Sequence, residues 1–264
     1  MKVVILCGGY STRLAGSGVD LPKPMVPIGG RPIVWHIMRG FAARGFRDFV
    51  LCLGYRSDAF KQYFLNLPAI MGDVIVEPSA GLVPVLRNHP EEADWRIALV
   101  ETGLDSMTGH RVKRSAPFIP EEDDCFAVTY GDGVTDLDFR EVVRFHHEHG
   151  KLATVTAVHP PPRYGELAID ARGRVEEFNE KPEASDRWVN GGFFVFSRKV
   201  LDGLSDDPAL VLEREPLQQL ARAGELMAYR RQGFWFAMDT PHDHQRLQEM
   251  WRQGGAPWAV WERD

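Results

Sequence analysis

The stretch from Val3 to Pro24 constrains this 264-residue chain more than any other. It starts Val3-Val4-Ile5-Leu6, apolar without alternation, as a parallel strand covered on both faces must be. After Cys7 it breaks into Gly8-Gly9-Tyr10-Ser11-Thr12-Arg13-Leu14 and, past a short loop, into Lys23-Pro24. Adjacent glycines after a strand let backbone amides approach a ligand with no Cβ between. Amides turned inward in this way form a nest that suits phosphate. Ser11 and Thr12 add hydroxyls, while Arg13 and Lys23 add two positive charges. A polyphosphate calls for that combination of donors and charge. Two rival loops are excluded by spacing. No G-x-x-x-x-G-K followed by Ser or Thr occurs, and Gly8 to Arg13 does not fit the G-x-G-x-x-G that opens a dinucleotide-binding helix.

The rest of the chain alternates. Gly29-Gly30-Arg31-Pro32 is a turn with proline placed to start a helix. Ile33, Ile37 and Phe41 recur at helical spacing, which predicts an amphipathic helix over 32–44, ended by Gly45. Phe49 to Leu53 reads as a second strand and Ala59 to Leu65 as a second helix, so the strands pair in parallel through right-handed crossovers. Residues 68–95 are irregular and predict an antiparallel excursion or a lid-like insertion, with Val74-Ile75-Val76 as a short strand. Ile97 to Val100 resumes the sheet, and a helix is expected over 110–116. Cys125 to Tyr130 is another buried strand, and Phe139 to His149 a helix.

From Lys151 on the pattern is richer in strands: 154–158, a hairpin of 168–170 with 175–178, then 189–196. Helical segments follow within 200–224, with Leu212, Leu217 and Leu220 inward. A late strand over 234–238 leads to a helix from Pro241 to Trp251, capped by Asp239 or Thr240. The expected fold is α/β: Rossmann-like, with a mixed, mainly parallel central sheet flanked by helices and a small antiparallel β extension. Residues 1–264 form one domain whose halves meet near residue 150.

Hydrophobic residues make up 44% of the chain and charged residues 26%, ordinary values for a soluble domain. A net charge of −6 argues against nucleic acid as a partner, but not against a nucleotide held by a local basic site. No apolar run reaches the ~18 residues of a membrane span. Cys7, Cys52 and Cys125 lie in apolar runs, which predicts buried free thiols and a cytoplasmic protein. His146, His147 and His149 share a polar helix, but their spacing does not put three imidazoles on one metal. No Cys or Glu cluster adjoins them in sequence, so they read as helix-surface residues.

Several residues outside the glycine loop carry possible chemistry. Thr102 to Gly109 is a loop of small residues at a strand end, either a base-reading loop or a plain capped connection. Asp132, between Gly131 and Gly133 at a strand's C-terminal end, sits where open α/β sheets bind ligands. Asp239 ends the late strand, and beside a polyphosphate loop the two aspartates suit Mg2+. Asn190 can donate and accept toward a sugar hydroxyl, and Glu180-Lys181-Pro182 repeats a lysine fixed before a proline. No Ser-His-Asp or Cys-His pattern for covalent catalysis is apparent.

The glycine loop with Pro22-Lys23-Pro24-Met25 resembles the signature of the sugar-phosphate nucleotidyltransferases. So do Pro32 to Met38, Glu101 to Gly103, Ser106 to Gly109, Tyr130 to Gly133, Asn190 to Phe194 and Ala256 to Trp258. The resemblance covers nearly the whole chain and points to the members that join CTP to glucose 1-phosphate. Ser11 departs from it, since such relatives usually have Gly there, and the stretch from Asp73 to Arg96 does not match.

The resemblance implies that a sugar 1-phosphate attacks the α-phosphorus of CTP and pyrophosphate leaves, with Mg2+ as cofactor. It makes Arg13, Lys23 and Asp132 catalytic and Asp132 and Asp239 metal ligands. It assigns the nucleotide to Leu6, Cys7, Gly8, Gly9, Tyr10, Ser11, Thr12, Arg13 and Lys23, together with Ser106, Thr108, Gly109, Arg111 and Gly131. The half after residue 150 becomes the sugar-phosphate half, with Tyr164, Gly165, Glu180, Lys181, Asn190 and Gly191. It also implies a homo-oligomer, hexamers being one form, with no nucleic-acid or membrane partner. The residues themselves leave other bases and sugars open. They also leave open a non-catalytic nucleotide-sugar binder, which the intact Arg13, Lys23, Asp132 and Asp239 disfavour.

Overall fold

The first strand, β1 (Val3–Leu6), is buried at all four positions and lies inside the main sheet. The computed structural model describes residues 1–10, 21–73, 92–160, 166–170, 172–179 and 187–262. After β1 come a small hairpin, β2 (Pro27–Ile28) with β3 (Arg31–Pro32), then α1 (Ile33–Ala43) and β4 (Asp48–Leu53). Next are α2 (Ser57–Leu65), α3 (Leu67–Met71), β5 (Arg96–Glu101), α4 (Thr108–Ser115), β6 (Cys125–Tyr130) and β7 (Gly133–Thr135). The second half adds α5 (Phe139–His149), β8 (Ala153–Val158), β9 (Glu166–Ile169), β10 (Val175–Asn179) and β11 (Val189–Ser197). It closes with α6 (Glu215–Arg222), β12 (Leu226–Arg230), β13 (Trp235–Ala237) and α7 (Pro241–Arg252).

Among the described residues, seven strands form the main sheet in the order β12-β8-β11-β6-β1-β4-β5. β1 pairs in parallel with β4 on one side and β6 on the other, and β4 with β5. β11 runs antiparallel to both β6 and β8, which makes the sheet mixed. Strands from both halves of the chain thus share this sheet. The path from β1 through α1 to β4 moves away from β6, and the path from β5 through α4 returns to the far side of β1. Successive crossovers that part in this way leave a crevice at the strands' C-terminal ends. Apolar layers cover both faces. One is built on Ile33, Ile37 and Phe41 of α1, Val142 of α5 and Trp258. The other is built on Val112 of α4 with Val200, Leu201 and Leu212.

Some elements differ from the sequence expectation. Leu67–Met71 is a helix, although that stretch was expected to be irregular, and Val74-Ile75-Val76 lies outside the described residues. β12 joins the sheet edge in parallel with β8, and its half-exposed side chains carry no strong strand signal. The late strand β13 pairs with β7 in a separate two-stranded ribbon, not with the main sheet. Cys7, Cys52 and Cys125 are buried free thiols. Among the described residues no helix is long and apolar enough to cross a membrane.

Candidate active site

The crevice at the C-terminal ends of β1 and β6 is a cleft of about 260 Å³, lined by Leu6, Cys7, Gly8, Gly9, Lys23, Pro24, Ser106, Met107, Thr108, Arg111, Tyr130, Gly131 and Asp132. Segments far apart in sequence meet there because each follows or precedes a strand end. Lys23 is set by local stiffness. It opens a single 3-10 turn, Lys23–Met25, after Pro22, and Pro24 and Met25 are buried beneath it. Its ammonium donates to Asp132 Oδ2 at 2.6 Å and to Asp239 Oδ1 at 2.8 Å.

The ribbon of β7 and β13 brings those two aspartates together. Ala237 pairs with Gly133, and the Met238 amide donates to the Asp132 carbonyl at 3.0 Å. The Asp239 carboxylate points at Lys23 while Thr240 caps α7. The Thr240 hydroxyl accepts from the Asp243 amide, and Asp243 in return accepts from the Asp239 and Thr240 amides, a full capping box. Burial alone would lower the Lys23 pKa, but Asp132 and then Asp239 more than offset it and hold the ammonium above its usual value.

Arg111 occupies the floor. Its buried guanidinium donates to the carbonyls of Leu53 (3.0 Å), Gly103 (2.8 Å), Gly8 (2.9 Å) and Leu104 (3.2 Å), and to Thr102 Oγ1 (2.7 Å). Burial lowers its pKa from the usual value. The residue expected to touch base and phosphate therefore ties together the loops after β1, β4 and β5, and presents a positive floor. Gly8 passes so close to it that a Cβ there would fall 2.1 Å from the Arg111 guanidinium carbon. Ser106 is likewise engaged, donating to the Thr102 carbonyl at 2.5 Å with His110 Nδ1 at 2.8 Å. Tyr10 spans the rim, its hydroxyl 2.6 Å from Asp105 and its ring 5.7 Å from that of Tyr55.

Gly109, expected near the nucleotide, packs on the 207–212 segment and is not among the residues lining the cleft. Its amide donates to the Leu210 carbonyl at 2.9 Å, and a Cβ would lie 2.8 Å from Leu210 Cγ. Its glycine identity suits that close packing. Thr108 lines the cleft, but its hydroxyl accepts from the Leu212 amide at 2.9 Å and donates to Glu213 at 2.7 Å.

Glu213 was not singled out from the sequence. Its carboxylate also receives the Tyr130 hydroxyl in a short hydrogen bond, so one residue braces two walls. Burial and then Glu213 raise the Tyr130 pKa, with Asn190 opposing the rise. Asn190 itself is exposed and accepts from the Gly192 amide at 2.8 Å. Gly191 is buried, and its carbonyl receives the Trp235 indole N–H at 2.7 Å. Ser11, Thr12, Arg13, Tyr164, Gly165, Glu180 and Lys181 lie outside the described residues.

The histidine helix also departs from expectation. His146 and His149 both bond Thr154 Oγ1, at 2.9 and 2.7 Å, while His147 faces Cys125 and Asp124. The expectation that no cysteine joins these histidines fails at His147, which Cys125 and Asp124 approach in space.

A model of the nucleotidyl transferase family matches residues 2–241. The chain belongs to this family. This nucleotidyl transferase is 47% identical over 262 residues to the glucose-1-phosphate cytidylyltransferase of Salmonella typhi, covering 99% of this chain and 100% of that one. It is 40% identical over 261 residues to the probable glucose-1-phosphate cytidylyltransferase of Bacillus subtilis, covering 99% and 100%. Among solved structures it is similar to HddC of Yersinia pseudotuberculosis complexed with GMP-PN, with a TM-score of 0.68 at 22% identity over 95% of this chain and 99% of that one. At that identity the likeness shows a shared fold.

Proposed function

We propose that the protein transfers the cytidylyl group of CTP to α-D-glucose 1-phosphate, giving CDP-glucose and pyrophosphate. The observation that carries the reaction type is Lys23, held between Asp132 and Asp239 at the mouth of a glycine-lined cleft. Base and sugar follow the names of relatives up to 47% identical over nearly the whole chain.

An oxygen of the sugar phosphate attacks the α-phosphorus in line as the bond to the β-phosphate's bridging oxygen breaks. The attacking oxygen is already anionic, so no side chain need take a proton. Catalysis then rests on positioning and charge. The Gly8 and Gly9 backbone admits the triphosphate closely, Arg111 keeps that loop in place, and Lys23 meets the charge that builds on the α-phosphate. Arg13 takes the β- and γ-phosphates by the family resemblance. Tyr164, Gly165, Glu180, Lys181, Asn190 and Gly191 seat the sugar phosphate on the same ground.

Asp132 and Asp239 fit Mg2+. Two carboxylate oxygens converge on one point that the Lys23 ammonium reaches, and the donor set is all oxygen. A Mg2+ ion held there supplies Lewis-acid neutralisation of phosphate oxygens. A cytoplasmic, homo-oligomeric enzyme completes the reading, and the three cysteines are free thiols, as a reducing compartment keeps them.

The test is pyrophosphate release from glucose 1-phosphate with Mg2+ and, separately, CTP, UTP, dTTP, ATP and GTP. Release with CTP alone is expected. Release with another nucleotide instead refutes the base, and silence across nucleotides and a panel of sugar 1-phosphates refutes the reaction.

A further inference from the structure

The end of the sheet opposite the nucleotide cleft holds a second cluster of chemically able side chains. β6 starts at Cys125 and delivers Tyr130 to the cleft, so its two ends lie roughly 17 Å apart. α5 runs back along the sheet, and its last turn therefore comes beside the start of β6. This crossover sets His147 next to Cys125 and Asp124 although Cys125 lies 22 positions earlier in sequence. The thiol lies 4.0 Å from His147 Nε2, and the Asp124 carboxylate lies 3.6 Å from His147 Nδ1. One donor atom from each of the three falls within 4.8 Å of the others. All three line a cavity of about 470 Å³ that opens to solvent.

We propose that Asp124, Cys125 and His147 bind one divalent cation of the zinc class, separate from the Mg2+ of the nucleotide cleft. Thiolate, imidazole and carboxylate are the donors such a cation takes, whereas Mg2+ prefers oxygen alone. Zinc bonds of about 2.0–2.3 Å place tetrahedral ligand atoms roughly 3.3–3.8 Å apart. The present spacing closes to that by rotation of Asp124 and His147, both solvent-exposed, about the buried Cys125. Water takes the fourth position.

The Cys125 thiol also lies 3.7 Å from the Met1 thioether, a weak contact that a cation would replace, and the neighbouring charged and imidazole groups are turned elsewhere. His146 and His149 are turned to Thr154 Oγ1. Lys151 pairs with Glu225 at 3.1 Å, and Arg198 donates to the Pro120 carbonyl at 3.1 Å. Asp123 faces the N-terminal ammonium at 3.7 Å. A cation here ties the start of β6 to the end of α5. It touches no residue lining the nucleotide cleft.

The full chain, stripped with chelator, is titrated with Co2+ and followed by absorption. Expected are a thiolate-to-cobalt charge-transfer band that saturates at one equivalent, and its loss when Zn2+ is added. Cys125→Ser abolishes the band. His147→Gln, on the exposed face of α5, weakens Co2+ binding at least ~10-fold. Pyrophosphate release with Mg2+ stays at the wild-type rate in His147→Gln. No band in the wild type, a band that survives Cys125→Ser, or unchanged affinity in His147→Gln overturns the proposal. If Cys125→Ser does not fold, the His147→Gln titration decides alone.

Discussion

Replacing Lys23 with Met removes the ammonium that lies 2.6 Å from Asp132 and 2.8 Å from Asp239, and keeps most of the hydrocarbon stem. A unit charge pair at that separation is worth about 6 kcal/mol at an effective dielectric of about 20 and about 1.5 kcal/mol in bulk water. Asp132 and Asp239 are 27% and 30% exposed, so solvent pulls each pair toward the lower figure. The two carboxylates that remain also repel each other. Lys23→Met should therefore cost on the order of 1–3 kcal/mol of stability at neutral pH. Separately, turnover should fall by at least ~10²-fold, about 2.7 kcal/mol of lost transition-state stabilisation.

The two effects are parted by a double variant. Lys23→Met with Asp132→Asn removes the repulsion, so unfolding by urea should return toward wild type while pyrophosphate release stays low. A kcat within about threefold of wild type in the single variant, with both substrates saturating, refutes the role given to Lys23. The sign of the pH effect follows from its raised pKa. The stability it contributes is fully present below the unfolded value of about 10.5 and is lost only as pH rises through the higher folded value.

Glu213→Ala should strand the Tyr130 and Thr108 hydroxyls at about 1–3 kcal/mol each, while Glu213→Gln keeps an acceptor for them. Steady-state kinetics should show KM for CTP rising more than kcat falls in the Ala variant, with most of the loss restored in Gln; equal losses would count against a bracing role. Gly8→Ala places a Cβ 2.1 Å from a guanidinium tied to five acceptors, and should cost ~1–3 kcal/mol as overpacking and weaken CTP binding, seen as a smaller thermal shift on adding CTP. A Cβ on Gly9 meets nothing within 4 Å, so Gly9→Ala should melt with the wild type. Burial pushes the pKa of His36 and of His146 down to about 4, so the unfolded chain takes up protons that the folded chain refuses as pH falls from about 6.5. Stability should fall with pH across that window by up to about 1.4 kcal/mol per unit per histidine. A flat urea-unfolding profile between about pH 6.5 and 4 would contradict neutral burial of both rings.

Much of the first half could be read from local pattern because its chemistry is local. An unbroken apolar run of four, β-branched at three positions and followed by glycines, reads as an inner strand, and Val3 to Leu6 is one. Lys23 and its prolines announce a fixed cation within three residues. β12 escaped notice because an edge strand buries little and shows no alternation. Glu213 escaped for a different reason. It stands 83 residues from Tyr130 and 105 from Thr108, and a lone glutamate before a helix looks like any solvated charge. Arg111 was singled out through the family resemblance, and only the fold shows that loop carbonyls surround it.

The difference between Arg111 and Lys23 shows what kind of information sequence carries about a charged site. Both are basic residues near a glycine loop, and both line the same cleft. Arg111 lies on α4, whose N-terminal turn is clamped by the Leu210 carbonyl, so its guanidinium is directed beneath three strand ends where carbonyls abound. Lys23 lies on a short proline turn outside the sheet and reaches over the strand ends to two carboxylates, Asp132 and Asp239. An arginine with its fork filled by neutral acceptors holds a loop in shape. A lysine between two carboxylates exchanges partners when another cation or a phosphate arrives, because its bonds are to charges that such a ligand also engages. The chemistry therefore rests on the residue whose neighbours are ionic, and the shape of the cleft on the one whose neighbours are not.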